Sequence, residues 1–315
     1  MKQSGAVTEF DKVKVGKNPL HLAIGMFDGV HLGHRAVIEA AIQSARRSGD
    51  VSGILTFYPH PSRVLYPENP TPLLISSKMK TSILYEMGVD FVIQKEFTQI
   101  FAQVEAEDFL TTLKQTLPTL VSVFVGEDYR FGKNRRGDVC LMIKEARRLG
   151  LHVFSVERIK LNGEDISSTR IREHIQAGRI EESNQLLGYV YSCAGRVCRG
   201  QKIGRGIGFP TLNLSWTPEL FPRFGVYAVR VVLEGCEKCL PGVANYGIRP
   251  TTSEKGEPLL EVHLLKDLDV QLGTKLVVKW YTFIRPEIRF PHLDALRRQI
   301  AIDKEKAFQI LSSVC

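Results

Sequence analysis

Two histidines three residues apart, His31 and His34, flank a glycine, Gly33, just beyond the short apolar run His21 to Met26. On a helical turn, residues at that spacing share one face, and a glycine between them lets a ligand approach the backbone. A helix starting here would turn free N–H groups and positive potential toward a phosphate. Two imidazoles there could donate hydrogen bonds to charge that grows during phosphoryl transfer. The pair equally fits two surface histidines on an amphipathic helix. A second anion-suited start is Ile166-Ser-Ser-Thr-Arg170, where Ser168 or Thr169 can cap a helix and Arg170 offers a planar fork of donors. Read alone, it is also a plain N-cap with solvated arginines.

A third string, Gly200-Gln-Lys-Ile-Gly-Arg-Gly-Ile-Gly-Phe-Pro-Thr-Leu-Asn213, is dense in glycine, and Gly204 is one of those that let a backbone turn against a phosphate chain. Lys202 and Arg205 add charge, and the Thr211 hydroxyl and Asn213 amide are hard oxygen ligands able to serve Mg²⁺. The Gly-Lys-Ser/Thr ending of a P-loop is missing, so a purely structural loop between strands also fits.

These residues need elements to hold them. The first half alternates apolar runs (His21–Met26, Gly53–Phe57, Phe91–Gln94, Leu120–Val125, His152–Val156) with helical patterns near 31–47, 78–87, 107–116 and 140–149. Single helices between strands imply right-handed crossovers and a doubly wound, Rossmann-like parallel sheet, with ligands at the carboxyl ends of its strands. A charged helical stretch over 176–186 precedes a change of pattern at Leu187-Gly188. Beyond it, short β-rich runs (Tyr189–Val197, Val226–Leu233, Gly242–Tyr246, Leu259–Leu265, Leu276–Tyr281) lead to a terminal helix over 292–311. Five or six antiparallel strands with one helix suggest a small closed barrel.

The 315 residues, 43% hydrophobic and 24% charged, describe a folded chain long enough for two cores, divided as 1–187 and 188–315. A net charge of +8 favours polyanionic or phosphorylated partners. No apolar run approaches the ~18 residues of a membrane span. The polar N-terminus lacks a signal-peptide core, so a cytoplasmic location and reduced cysteines are expected. Cys236-Glu-Lys-Cys239 reads either as half of a zinc site with Cys193 and Cys198 or as a hairpin turn.

Taken together, His31-Leu-Gly-His34 and Ile166-Ser-Ser-Thr-Arg170 resemble the HxGH and ISxxR signatures of the nucleotidyltransferase superfamily. The longer strings Gly25–His34, Thr56-Phe-Tyr-Pro-His-Pro61 and Val125-Gly-Glu-Asp-Tyr-Arg-Phe-Gly132 are similar to the FMN adenylyltransferase module of bacterial FAD synthetases. That resemblance implies attack of the FMN phosphate on the α-phosphorus of ATP, with release of pyrophosphate. His31 and His34 would stabilise the transferring phosphate. Gly25 and Gly33 would line the nucleotide site, and Ser168, Thr169 and Arg170 would hold the leaving phosphates. Phe57, Tyr58, Pro59 and Asp128 would receive the flavin.

The string 200–213 resembles the riboflavin kinase pattern GxxxGRxxGFPTxN, and Gly225-Val-Tyr227, Gly242–Thr251, Glu261-Val-His263 and Arg285-Pro-Glu287 follow in that family's order. By this likeness Lys202 and Gly204 would contact ATP, Thr211 and Asn213 would bind its Mg²⁺, and Glu261 would take a proton from the riboflavin 5′-hydroxyl. The implied partners are riboflavin, FMN, FAD, ATP, ADP and pyrophosphate, with neither nucleic acid nor membrane. Two rivals remain at this point. One is another nucleotidyltransferase fused to an unrelated barrel. The other is a nucleic-acid module prompted by the net charge and by Lys133-Asn-Arg-Arg136.

Overall fold

In the computed structural model, which describes residues 7–10, 16–200, 208–234, 238–248, 258–266, 268 and 270–314, the apolar runs of the first half become parallel strands. They are β2 (Leu20–Ile24), β3 (Val51–Tyr58), β4 (Phe91–Glu96), β5 (Leu120–Gly126) and β6 (His152–Val156). With β1 (Thr8–Glu9), too short to show periodicity, they pair in the order β1-β4-β3-β2-β5-β6. The crossovers carry α1 (Leu32–Ser48), α2 (Pro61–Leu65), α3 (Ser77–Glu86), α4 (Ala106–Thr116) and α5 (Val139–Arg148). All of β2 is buried, as a central strand covered on both faces must be. Its Leu20, Leu22 and Ile24 pack with Leu55, Val123, Phe109 and Met142.

The chain runs from β2 through α1 to β3 on one side, while β5 flanks β2 on the other. The carboxyl end of β2 is therefore a topological switch point, where a doubly wound sheet opens a ligand crevice. At the amino end, His21 hydrogen-bonds Ser122 of β5 (2.7 Å) and Asp50 (3.1 Å). The Ser122 hydroxyl is buried, so this Ser-His-Asp chain ties strands together and presents no nucleophile.

A small hairpin, β7 (Lys160–Leu161) and β8 (Glu164–Asp165), leads to α6 (Ser168–Ala177) and α7 (Ile180–Leu187). The single helix expected over 176–186 is thus corrected to two. Gly178 adopts φ 80° and stops α6, since a left-handed residue cannot continue a right-handed helix. The chain divides into two compact units, Met1–Ser168 and Thr169–Cys315.

In the second unit β9 (Ser192–Cys198), β10 (Leu212–Ser215), β11 (Gly225–Leu233), β12 (Cys239–Ile248), β13 (Pro258–Leu264) and β14 (Lys275–Arg285) close an antiparallel barrel in the order β10-β13-β12-β11-β14-β9. Closure leaves no strand edge unpaired. Trp280, Tyr227 and Tyr246 are fully buried, with Tyr227 meeting Trp280 edge to face at 4.7 Å. Outside, Ala307 and Leu311 of α8 (Leu293–Ser313) pack on Val226, Ala228 and Val243. Arg285 grips buried Asp303 of α8 through Nε and Nη2 at 3.0 and 2.7 Å.

Candidate active sites

The turn after β2 brings the first set of residues together. Phe27, Gly29 and Val30 take φ values of 51°, 81° and 39°, so non-glycine residues are held in the left-handed region. Strain of that kind, on the order of 1–3 kcal/mol per residue, persists only where surroundings over-determine it. The restraints are visible. The buried Asp28 carboxylate accepts the Leu74 N–H (3.0 Å), and the Ser168 hydroxyl donates to the Asp28 carbonyl (2.9 Å). Gly25 closes onto β3 by donating to Leu55 O (3.1 Å).

His31, 5% exposed, is the N-cap of α1, and its Nδ1 accepts the His34 N–H at 3.2 Å. It therefore stands just before the helix instead of on its first turn, a correction to the shared-face expectation. A ring nitrogen that accepts a backbone N–H carries no proton, which puts the proton on Nε2 and makes that nitrogen a donor. The two imidazoles stack at 3.6 Å and 16°, and His34 meets Phe27 edge-on at 5.4 Å. A Cβ on Gly33 would lie 3.3 Å from the His31 ring, so Gly33 admits that ring across the helix start. The space that sequence reading reserved for a ligand is thus partly taken by His31. The same point lies 3.7 Å from Ile166 O, where the second anion string begins.

Ser168 opens α6, and its hydroxyl reaches back to the Asp28 carbonyl, so it joins the two strings. Thr169 is exposed and Arg170 half-buried on the same first turn. Phe57 is only 7% exposed and packs against Phe97 and Phe101 as part of the core. Tyr58, 48% exposed, and half-buried Pro59 are the accessible members of that cluster. Asp128 sits beyond the carboxyl end of β5, ion-paired with Arg158 at 3.0 Å. Lys133 and Arg136 of the basic run both pair with Glu105, at 3.4 and 3.5 Å, so those two charges are engaged within the fold.

One group here gave no sequence signal. Lys80 on α3 is 9% exposed and donates to Met26 O (3.0 Å) and Thr56 Oγ1 (2.9 Å). Burial pulls its ammonium down to about 8, and the Asp28 carboxylate opposes that fall.

The second set lies on the barrel. Glu261 of β13 stands opposite Asn213 of β10 and opposite Asn245 of β12. Residues facing each other across antiparallel strands project to one side, with Cβ atoms about 4.5–5.5 Å apart, so Glu261 shares a face with both asparagines. Asn245, which sequence reading did not single out, donates to Glu287 Oε1 at 3.4 Å. His263, two residues along β13, holds the Pro210 carbonyl through Nδ1 at 2.8 Å and meets Phe209 edge to face. It thereby fixes the strand entry that carries Thr211, which is exposed. Lys202, Gly204 and Arg205 lie outside the described residues, as does Cys236.

A Cβ added at Gly200 would overlap the Asn213 side-chain amide. Gly200→Ala should therefore displace Asn213 and, by the kinase likeness of this string, lower ATP-dependent phosphorylation by about tenfold, the scale expected for a slightly misplaced binding group. Comparing steady-state rates of this variant and the parent at both phosphate sites checks it, and the first unit's site should be unaffected.

Comparisons with known proteins identify the family of both halves. A family model described as FAD synthetase matches residues 14–170, and one described as riboflavin kinase matches 187–311. The bifunctional riboflavin kinase/FMN adenylyltransferase of Escherichia coli K12 is 37% identical over 284 residues, covering 90% of each chain. That of Listeria monocytogenes is 37% identical over 286 residues, again 90% of each. A crystal structure described as a macrolide-efflux protein from Streptococcus pneumoniae matches with TM-score 0.85 and 26% identity, over 95% of this chain and 96% of that one. Its efflux description is said of that protein; here, no described helix is long and apolar enough to cross a membrane. Two family models in tandem, with relatives alike over nine-tenths of their length, show that the chain belongs to the family of bifunctional riboflavin kinase/FMN adenylyltransferases.

Proposed function

We propose that the His31–His34 stack carries adenylyl transfer and that Glu261 carries riboflavin phosphorylation, in modules dividing at 187/188. The chain is a transferase that converts riboflavin to FMN and FMN to FAD, with ATP as co-substrate of both steps. The observation that carries the residue assignment is the meeting of the two nucleotidyltransferase strings at Asp28, whose carbonyl takes the Ser168 hydroxyl beside the capped His31.

In the adenylyl step an FMN phosphate oxygen attacks the α-phosphorus of ATP. One P–O bond forms as the α–β bridge bond breaks, and pyrophosphate leaves. His31 donates from Nε2 to the charged oxygens, with His34 stacked beside it, and the α1 N-terminus adds its positive end. Ser168, Thr169 and Arg170 hold the departing phosphates. Tyr58, Pro59 and Asp128 receive the flavin.

In the kinase step the riboflavin 5′-hydroxyl attacks the γ-phosphorus while Glu261 accepts its proton, and ADP leaves. No group of three His, Cys, Asp or Glu able to hold a metal occurs among the described residues. The donor set of Thr211 hydroxyl and Asn213 amide suits a cation that arrives with nucleotide phosphates, as Mg²⁺ usually does. Bound there, Mg²⁺ would neutralise phosphate charge. The ATP requirement and four free thiols among the described residues support a cytoplasmic location.

Incubating the protein with riboflavin, ATP and Mg²⁺ and separating products by chromatography tests the whole reading. FMN should appear first and FAD after it. Salt-sensitive RNA binding without flavin turnover would favour the nucleic-acid alternative instead.

A further inference from the structure

We propose that Lys80 is a positioning residue for adenylyl transfer, holding the β2-to-α1 turn so that His31 and His34 meet the reacting phosphate. Its Nζ and the Thr56 hydroxyl both donate to the Met26 carbonyl, at 3.0 and 3.1 Å, and Nζ also donates to Thr56 Oγ1 at 2.9 Å. Met26 is the last residue before the left-handed run Phe27, Gly29 and Val30, so this three-member node anchors one end of the strained turn. The segment that carries Lys80 holds the turn a second time. Leu74 gives its N–H to the Asp28 carboxylate at 3.0 Å, six residues before the lysine. The stretch 74–80 thus pins the turn both at Met26 and at Asp28, on the two sides of Phe27.

The choice of lysine is informative. A buried ammonium is costly to desolvate, and a neutral donor would satisfy one carbonyl at less expense. A long side chain ending in several donors spans from a helix beside the sheet to the Met26 carbonyl and the Thr56 hydroxyl, and its charge lies near Asp28. The turn's geometry sets the His31 cap, and misplacement of a catalytic group by about 1 Å can cost roughly 100-fold in rate. Lys80 touches no reacting atom and acts through Met26.

The inference rests on His31 as an adenylyl-transfer residue, and the test separates the two. Lys80→Met, Lys80→Arg, Thr56→Val and His31→Ala are assayed for FMN-to-FAD conversion, with the riboflavin kinase rate of the same chain as a control for intact protein. Lys80→Met should lower kcat 10- to 100-fold while KM for FMN and for ATP moves less than about threefold. Thr56→Val should show a smaller loss of the same kind, and Lys80→Arg, which keeps charge and donors, should recover to within about fivefold of the parent. A folded Lys80→Met with unchanged kcat, or one altered only in KM, overturns the proposal. If Lys80→Met does not fold, an unchanged kcat in a folded Thr56→Val overturns it too. Full FAD formation by His31→Ala would instead overturn the site assignment beneath it.

Discussion

Replacing His31 with alanine should lower FMN-to-FAD conversion by about 10²- to 10³-fold, the usual cost of removing one preorganised donor from a developing oxyanion. Two physical roles meet in this side chain, and they can be separated. As N-cap of α1 it accepts the His34 N–H, and loss of a cap costs about 1 kcal/mol of stability. In the proposed assignment it would also serve the transferring phosphate as a donor from Nε2. His31→Asn restores a capping oxygen without an imidazole at the phosphate. Thermal unfolding should therefore return toward the parent value in His31→Asn, while the FAD-forming rate stays low. The riboflavin kinase rate should remain within about twofold in both variants. Loss of both products in a folded variant would defeat the assignment of one step to each module.

The complementary substitution lies on the barrel. Glu261→Ala should reduce riboflavin phosphorylation by about 10²- to 10⁴-fold, the range for removal of a general base, and leave FMN-to-FAD conversion untouched. Because Glu261 stands in register between Asn213 and Asn245, alanine also removes a polar cross-strand neighbour from both amides. Glu261→Gln controls for that effect. It keeps size and hydrogen-bonding capacity but cannot take a proton at neutral pH, so its kinase rate should fall as far as that of the alanine variant. A glutamine variant with near-normal rate would make Glu261 a spacer between two amides.

The legible parts of this molecule are the local ones. Strand and helix positions in the first half followed from apolar periodicity, because a β2 buried on both faces and an amphipathic α4 each leave a pattern over a few neighbouring residues. The short β10 is harder to see. Its four residues, Leu212–Ser215, are the end of a glycine-rich string that reads as loop, and only pairing with β9 and β13 makes it a strand. The break at Gly178 was hidden for a related reason, since one glycine within a charged stretch is compatible with a continuous helix until packing chooses φ.

The chemistry divides the same way. The residue strings by themselves carried the family and its two reactions and proposed a phosphate-suited site for each, because side-chain type and spacing limit what a turn can bind. Only the tertiary structure decided how those residues are held. It made His31 a helix cap, placed Ser168 on Asp28, sank Phe57 into the core and set Glu261 between two asparagines. Lys80 shows the reason most plainly. On a helix pattern a lysine reads as solvated surface, and nothing within a dozen neighbours reveals that its ammonium ends beneath a turn 54 residues away. Contacts of that separation are fixed by how helices lie on the sheet, a property of the folded chain and not of any segment of it.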